Sequence, residues 1–462
     1  SRCRIYTPRT MRLRKTITTI VATAILLAGW QLFAVIANQP ELIPSLPRLV
    51  RTLCEWLVSG SFYQSVGATI LRGVLGMSIS FVCAIGMAGL FARFEWVYEL
   101  FRPLLAIMRS IPVISFILLA LIFLNPESIP LMIAFLTMFP LLTENLTRGI
   151  LDLRPGLSIM ARQFHIKRSN VLFQIIYPQL KPFLYSGLAS AAGFGWRAII
   201  MGEVLSQCAF GIGSEMKRAQ NFISVPELLA WTIVAVFISF FFDKGISKVA
   251  DITPKISFAN EDQTIPTPTL SVLDTKDISY QYGIQHFSHS FQKGIIYGIS
   301  APSGKGKTTL LNLIGGILLP TEGEIHPTRH FGIATIFQQP QLLPHLTAEE
   351  NIILPLSSFL TEEKARRIAQ KHLQEMEMEP FGNRYPKELS YGQQQRIAIA
   401  RALAYPSPLL LMDEPFKGLD EALSHRIIER IREKQMKEER IILFTSHNPD
   451  EIRLLADEVI YL

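Results

Sequence analysis

The stretch Ala301-Pro-Ser-Gly-Lys-Gly-Lys-Thr308 follows an apolar run of strand length, Ile295 to Ser300, and precedes the apolar residues 310–314. The order of strand, glycine-containing loop and helix is typical of a phosphate-binding loop, in which backbone N–H groups at a helix N-terminus hold phosphate oxygens. In such a loop Lys307 reaches the β and γ phosphates, and Thr308 supplies a magnesium ligand. The stretch therefore predicts an α/β nucleotide-binding domain.

Two adjacent carboxylates end a second buried run, Leu409-Leu-Leu-Met-Asp413-Glu414. Phosphoryl transfer requires charge neutralisation and an in-line water more than covalent chemistry. Asp413 suits Mg²⁺, directly or through water, and Glu414 suits the general base or polariser of the attacking water. Together with the loop at 301–308, this run predicts ATP hydrolysis. Further strand-length runs at 331–337 and 441–445, interspersed with helical patterns, favour a largely parallel sheet.

The first half of the chain has a different composition. Hydrophobic residues make up 49% of the whole sequence and charged residues only 18%, and most long uncharged stretches lie early. Six stretches have the length of a transmembrane helix: 16–37, 73–92, 104–124, 128–144, 183–207 and 226–243. We therefore predict a cytosolic segment 1–15, an all-α transmembrane domain of six spans at 16–250, a polar, Pro-rich linker 251–270 and an α/β ATPase domain at 271–462.

Basic residues mark the cytoplasmic side of the membrane. Lys and Arg are frequent before the first span, between the second and third spans and between the fourth and fifth, and sparser in the other loops. Short loops rich in these residues stay cytoplasmic, so both termini are predicted to be cytosolic. The net charge of +7 then reflects contact with an anionic membrane surface and not with nucleic acid. The run 16–37 exceeds the apolar core of a signal peptide and is interpreted as a span.

Four cysteines, Cys3, Cys54, Cys83 and Cys208, show no CxxC spacing and no neighbouring histidines, so neither a zinc site nor a redox motif is indicated. A disulfide between Cys54 and Cys208, which fall on the same predicted side of the membrane, stays open as an alternative to packing roles. Met11 precedes basic residues, and we hypothesise that residues 1–10 are an upstream extension.

A third motif indicates the family. Leu389-Ser-Tyr-Gly-Gln393 resembles the signature motif of ATP-binding cassette (ABC) proteins. Other marks of that family follow its order: Gln338 in a Q-loop, Asp420 in the D-loop Lys417-Gly-Leu-Asp, and His447 as a switch histidine. The resemblance implies ATP and Mg²⁺ as cofactors, catalytic roles for Glu414, His447 and Gln338, and magnesium ligation by Thr308, Gln338 and Asp413. It also implies ATP contacts from Tyr282, Ser303, Gly304, Lys305, Gly306, Lys307, Thr308, Thr309, Ser390, Gly392, Gln393 and Asp420.

Two residues depart from the family pattern. Ala301 stands where the loop usually begins with Gly, so the loop must enter with ordinary backbone angles. Tyr391 replaces a Gly of the signature and makes that turn bulkier. In the family, ATP lies between the phosphate loop of one ATPase domain and the signature motif of another. A chain with one of each is expected to act as a homodimer, or to pair with a related chain.

The membrane half resembles the permeases of bacterial importers. Residues 159–178 keep the spacing of their cytoplasmic coupling loop, with Ala161 and Pro178 in place and His165 where Gly is usual. The segment from Gly193 to Gly213 is similar to permeases for nitrate, sulfonates, taurine and thiamine precursors. Arg197 and Glu203 fall within the fifth apolar run, where charge is costly. They are interpreted either as an interior or subunit-interface ion pair or as substrate contacts.

These features predict an importer in the bacterial cytoplasmic membrane. A periplasmic or lipoprotein substrate-binding protein is expected to deliver a small polar or anionic solute, and the membrane lipid surrounds the spans. An ABC exporter half-transporter is the alternative, although exporter helices usually extend far into the cytosol. A mechanical or regulatory membrane ATPase is a third reading. A large extracytoplasmic domain would favour it, and the outer loops here are short.

Overall fold

The computed structural model describes residues 8–250, 253–263, 270–281, 283–302, 304–327 and 332–462. The chain divides into two compact units, residues 1–152 with 180–252, and residues 153–179 with 253–462. Residues 153–179 thus belong to the unit that carries the phosphate loop. The boundaries at 15, 250 and 270 stay a sequence-based prediction.

Residues 8–250 are helical, with short breaks. The helices are α1 (Pro8–Ala37), α2 (Leu46–Trp56), α3 (Gly60–Arg93), α4 (Glu95–Ser110), α5 (Val113–Phe123), α6 (Ile129–Leu151), α7 (Pro155–Gln163), α8 (Arg168–Asn170), α9 (Tyr177–Ser206), α10 (Ile212–Asn221) and α11 (Val225–Ala250). A 3₁₀ turn at Pro126–Ser128 leads into α6, and a π-helical turn at Val171–Ile176 joins α8 to α9.

Four helical segments among the described residues are long and apolar enough to cross a membrane: Gly60–Arg93, Pro126–Leu151, Arg168–Ser206 and Val225–Ala250. The shorter apolar segment Val21–Ala37 lies in the first predicted span. The third predicted span, 104–124, is not one straight helix, because α4 and α5 meet at 94°. Pro112 explains the break, since it forces Ile111 into an extended conformation (ψ 130°) that ends α4. The predicted fold class, a helical membrane region followed by an α/β ATPase, is confirmed.

Small residues bring the membrane helices close together. A Cβ on Gly76 of α3 would lie 2.6 Å from the Cβ of Ala134 on α6. A Cβ on Gly73 would lie 2.6 Å from the ring of Trp196 on α9. Such close approach is what holds helices together in lipid, where there is no hydrophobic driving force between them. Cys54, Cys83 and Cys208 are free, so the Cys54–Cys208 disulfide is not formed; Cys3 lies outside the described residues.

The described residues of the second unit form eight strands in two sheets. The strands are β1 (Val272–Tyr280), β2 (Ile284–Gln292), β3 (Ile296–Ser300), β4 (Glu322–His326), β5 (Ala334–Ile336), β6 (Leu409–Asp413), β7 (Ile441–Thr445) and β8 (Glu458–Tyr461). Strands β2-β1-β4 form an antiparallel sheet, and β5-β6-β7-β3-β8 form a parallel one. The predicted parallel sheet is therefore present.

Besides α7 and α8, the described part of this unit contains six helices: α12 (Lys307–Ile314), α13 (Ala348–Leu356), α14 (Glu362–Glu375), α15 (Tyr391–Ala404), α16 (Glu421–Glu438) and α17 (Pro449–Leu455). Short 3₁₀ turns lie at Glu379–Phe381 and Pro386–Glu388. The neighbouring strands β6, β7 and β3 are all parallel, so their carboxyl ends meet at one edge of the sheet. In open α/β sheets ligands bind at this edge.

The segment 153–179 is built into the core of the second unit. Leu157, Met160, Phe164 and Ile175 are each at most 2% exposed and share one apolar cluster with residues of β5, β6 and α13. Because these side chains replace water around the ATPase core, each buried aliphatic or aromatic group contributes about 1.5 to 3 kcal/mol to the unit's stability. The predicted coupling loop is thus an integral part of this unit.

Candidate functional site

The phosphate loop connects β3 to α12. Gly304 (φ 82°) and Gly306 (φ 89°) have left-handed backbone angles, and Gly306 is the N-cap of α12. A Cβ on Gly306 would lie 2.6 Å from the carbonyl oxygen of Gly283, so only glycine fits there. Ala301 has no positive φ, as its side chain requires, and its carbonyl oxygen accepts a hydrogen bond from Lys307 Nζ at 2.6 Å.

Four charged or titratable side chains meet at the edge of the sheet. Lys307 Nζ lies 3.5 Å from His447 Nδ1, and His447 Nε2 lies 3.0 Å from Glu414 Oε1. The other oxygen of Glu414 pairs with Lys417 Nζ at 3.2 Å. The structure therefore places His447 between the other predicted catalytic residue, Glu414, and the phosphate-loop lysine, although β7 and the loop are far apart in sequence.

Asp413 connects three chain segments. Its Oδ2 accepts a hydrogen bond from Thr308 Oγ1 at 2.9 Å, and its Oδ1 accepts one from Thr445 Oγ1 at 2.8 Å. Thr308, Asp413 and Gln338 line one cavity of about 280 Å³. A hydroxyl, a carboxylate and an amide oxygen are the donors that Mg²⁺ prefers, with phosphate and water completing its shell. The residues fit the predicted ion, and among the described residues no cluster of three His, Cys, Asp or Glu side chains offers a rival site.

Glu414 has an unusual backbone conformation and a lowered pKa. Its φ is 48°, which a non-glycine residue adopts only at a cost. Burial raises the pKa of Glu414. Lys417, through a hydrogen bond and its charge, lowers this pKa, and His447 and Gln338 lower it further. Together they outweigh burial, so the pKa of Glu414 lies below its ordinary value. Glu414 is therefore ionised at neutral pH and available to accept a proton or orient water.

The signature residues lie at the N-terminus of the 14-residue helix α15. Ser390 is its N-cap and forms a capping box with Gln393, in which each side chain accepts from the other's backbone N–H at 3.3 and 2.9 Å. Gly392 has no room for a side chain, because a Cβ would lie 2.5 Å from the carbonyl oxygen of Gly418. Asp420 caps α16 by accepting from Leu423 N at 2.9 Å. Their ATP contacts stay predictions.

Lys305 and Gly304 are exposed in the loop, and Thr309 is half-buried in the first turn of α12. The predicted adenine-stacking residue Tyr282 and the loop residue Ser303 lie outside the described residues. The sequence analysis missed Lys417 as a partner of Glu414 and Thr445 as a partner of Asp413. The signal for Lys417 was its place three residues after Glu414, inside a motif already recognised.

The coupling segment contacts the loop that carries Gln338. A Cβ on Gly156 would lie 2.5 Å from the side chain of Gln341, and Gly156 lines the same cavity as Asp413 and Thr308. Gln163 forms two hydrogen bonds to other segments of this unit. Its side-chain Nε2 donates to Gly315 O at 2.8 Å, and its backbone oxygen accepts from Ile333 N at 2.7 Å. Ala161 is buried in this contact and Pro178 lies in the first turn of α9.

His165 takes a glycine's place in the helix-ending turn. Its φ is 46°, and it follows the C-cap Phe164 of α7. The N–H of Ile166 donates to Ala161 O and the N–H of His165 to Arg162 O, which is the Schellman arrangement. The departure from the family pattern therefore keeps the turn and costs about 1 kcal/mol of strain. Burial lowers the pKa of His165, so this side chain is neutral at pH 7.

Glu203 forms an interior ion pair, but not with Arg197. It is fully buried, and its carboxylate accepts from Arg72 Nη1 at 2.7 Å, Thr69 Oγ1 at 2.9 Å and Gly213 N at 2.9 Å. Its partner is Arg72, which the sequence analysis did not single out. Arg197 lies six residues earlier on α9, on a different face of the helix, and is exposed in this chain.

Comparison with known proteins supports both halves of the chain. Residues 284–417 match a family model described as ABC transporter, and residues 78–243 match one described as binding-protein-dependent transport system inner membrane component. The uncharacterized ABC transporter ATP-binding protein MJ0796 of Methanocaldococcus jannaschii is 34% identical over 201 residues, 39% of this chain and 85% of that protein. The thiamine import ATP-binding protein ThiQ of Yersinia pseudotuberculosis is 34% identical over 205 residues, 41% and 86%.

The Fe(3+) ions import ATP-binding protein FbpC of Rhizobium etli is 35% identical over 189 residues, which are 39% of this chain. The match covers 54% of FbpC, so the chain spans about half the length of that relative.

Replacing Gly306 by Ala tests the phosphate loop. The new Cβ meets Gly283 O at 2.6 Å, so we expect ATP affinity to fall at least tenfold, measured with a fluorescent ATP analogue on the purified full chain. Gly294→Ala is the matched control, because Gly294 has a similar φ of 87° with nothing within 4 Å of its Cβ. Both variants should lose about 1 kcal/mol of stability. Equal ATP affinity in the two variants would contradict the site.

Proposed function

The chain belongs to the ABC transporter family, and on that premise we propose that it is an ATP-driven importer that acts as a homodimer in the bacterial cytoplasmic membrane, with ATPase units and termini in the cytosol. The observation that carries the proposal is that segment 153–179 packs inside the core of the ATP-binding unit. In sequence, this segment lies between two parts of the membrane region, residues 1–152 and 180–252. Such a segment ties the nucleotide site to the membrane helices.

ATP hydrolysis follows from the geometry at the edge of the parallel sheet. Lys307 and the N–H groups at the start of α12 hold the phosphates. Ionised Glu414 orients and polarises the attacking water. His447 contacts both Glu414 and Lys307 and so fixes the position of the carboxylate relative to the phosphate-binding lysine. Thr308, Asp413 and Gln338 would hold Mg²⁺, which supplies charge neutralisation when bound. No covalent intermediate is required.

A second copy is needed to complete each site. Ser390, Gly392 and Gln393 form the N-terminal end of α15, a favourable place for phosphate oxygens. In the proposed dimer this end faces the nucleotide of the other copy, and a two-fold axis creates two equal composite sites. MJ0796 and ThiQ, which the chain resembles, are named as ATP-binding proteins of transporters, consistent with this arrangement.

The coupling path runs through Arg401 of α15. This buried guanidinium donates to the carbonyl oxygens of Pro340 and Gln341, each at 2.8 Å, and lies 5.5 Å from the ring of Phe164. Burial lowers its pKa to about 10, so it stays charged at neutral pH. One side chain therefore contacts the helix of the signature motif, the loop of Gln338 and the coupling segment. Movement of α15 on dimer closure would be passed to Phe164 and so to the membrane helices.

We favour an anionic solute, delivered by a separate binding protein. Arg197 is exposed on α9, in the face that also contains Ser186, Phe194 and Met201. A cation at the level of the bilayer is stable only beside water or a counter-charge. An aqueous path along the dimer axis, lined by Arg197 from both copies, would meet that need and attract an anion. Relatives named for iron and thiamine import support the transport direction and leave the solute to experiment.

Import is tested with vesicles that enclose ATP and Mg²⁺ on the ATPase side, with labelled solute and the binding protein outside. Glu414→Gln should retain ATP binding, lower hydrolysis by about 10²- to 10⁴-fold and abolish uptake. Glu429→Gln, on an exposed face of α16, is the matched control and should behave like the native chain. In a second set of vesicles the labelled solute is enclosed together with ATP, and its ATP-dependent release would favour the exporter alternative. Hydrolysis without solute movement in either direction would favour a regulatory ATPase.

Coupling is tested at Phe164. This side chain is fully buried against Tyr405, at 5.1 Å between ring centroids, and against Arg401. Phe164→Ala should keep ATP hydrolysis within about twofold, while uptake falls at least tenfold, because the coupling segment loses its anchor. Phe164→Leu should restore part of the uptake. Phe173→Ala, at a 48% exposed position, is the control. Uptake and hydrolysis falling in parallel would refute the path.

The solute class is tested at Arg197. Arg197→Gln should lower uptake of an anionic solute at least tenfold, and Arg197→Lys should retain most of it, since the charge is kept. Arg102→Gln, at an exposed position of α4, is the control for a general loss of positive charge. Screening the binding protein with nitrate, sulfonates, taurine and thiamine precursors identifies the solute. Selective binding of a cation would contradict the proposed class.

A further inference from the structure

Tyr391, the residue that departs from the signature pattern, makes two contacts within its own chain. Its hydroxyl donates a hydrogen bond to the backbone oxygen of Gln338 at 2.8 Å. Its ring lies against Gly418, where a Cβ would be only 2.7 Å from Tyr391 Cδ1. Gly418 has a φ of 79° and follows Lys417 directly. Glycine at position 391 would make neither contact.

Both contacts lead to the ATP site of the same chain. Gln338 lines the cavity that also contains Thr308 and Asp413, and Lys417, next to Gly418, pairs with the Glu414 carboxylate at 3.2 Å. Tyr391 therefore contacts two segments that end at this site, the loop of Gln338 and the D-loop that begins with Lys417 and Gly418. These contacts join the first turn of the signature helix α15 to the residues that hold the ion and polarise water in the same chain.

We propose that Tyr391 is a positioning residue that couples the two ATP sites of the dimer. This inference rests on the proposed function, in which Ser390 and Gly392 contact the nucleotide of the partner while Gln338 and Glu414 serve the chain's own nucleotide. Tyr391 lies between Ser390 and Gly392, so nucleotide that displaces this turn must move the Tyr391 hydroxyl. The displacement then reaches the Gln338 backbone and, with it, the cavity that Gln338 shares with Thr308 and Asp413.

The hydrogen bond from Tyr391 to Gln338 is suited to this role because it can break and form again at little cost. Tyr391 is 41% exposed, so its hydroxyl exchanges a protein acceptor for water at little cost. The contact of its ring with Gly418, in contrast, does not need the hydroxyl and remains in a variant that lacks it. A coupling between sites of at least about fivefold in ATP affinity is the usual lower range for such effects. Losing the hydroxyl alone should remove much of the coupling and leave the site's chemistry intact.

The test compares ATP hydrolysis by the purified full-length dimer over a range of ATP concentrations. The native chain should show a Hill coefficient clearly above 1. Tyr391→Phe should bring that coefficient close to 1, with the maximal rate within about twofold and the melting temperature unchanged. Tyr391→Gly, which removes the ring as well, should lose the cooperativity and also lower the maximal rate. Tyr461→Phe, at a 79% exposed tyrosine of β8, is the control for hydroxyl removal.

The outcomes separate the two proposals. Cooperative hydrolysis that is unchanged in Tyr391→Phe overturns the coupling role and leaves the transporter proposal standing. Native hydrolysis with a Hill coefficient of 1 has the same consequence. A native chain that binds ATP without hydrolysing it overturns both. A merely structural role is refuted when Tyr391→Phe loses cooperativity at an unchanged melting temperature.

Discussion

The chemistry of the ATPase unit depends on the carboxylate of Asp413. Each of its oxygens accepts one threonine hydroxyl, from Thr308 at the start of α12 and from Thr445 at the end of β7. These bonds fix the phosphate loop and two strand ends against one another, and Thr445 Oγ1 in turn accepts from the backbone N–H of Glu414 at 3.0 Å. The strained turn that presents Glu414 is thereby held in place. The site forms because the parallel strands β3, β6 and β7 end at the same edge of the sheet.

Much of this arrangement was predictable from the sequence. The loop at 301–308, Asp413, Glu414 and His447 each follow a strand-length apolar run, and parallel strands bring such positions to one edge. The helical membrane half was predictable from apolar length alone. Partners that depend on side-chain packing across distant segments were not: Thr445 for Asp413, Arg72 for Glu203 and Tyr391 for Gln338. A spacing pattern specifies a residue's place on an element and not what lies across from it.

Local backbone constraints explain the remaining differences. The third apolar run is long enough for a straight span, but Pro112 divides it and turns α5 by 94° against α4. His165 stands where the family's coupling motif has Gly, and the turn it occupies closes with both Schellman hydrogen bonds. In the first case composition predicted more regularity than the backbone allows, and in the second a side chain occupies a left-handed position (φ 46°) that usually takes Gly. Residue type matters here through the φ and ψ angles it tolerates.

The membership of residues 153–179 in the ATPase core has a consequence for synthesis. These residues leave the ribosome before residue 253 is made, so the later half of the chain folds around a piece that is already present. Release of the cassette as a separate fragment would uncover the surface that Leu157, Met160 and Phe164 occupy, and water would meet a bare apolar groove. Because the two halves are one chain, each ATPase unit is synthesised together with residues 153–179, which complete its apolar core.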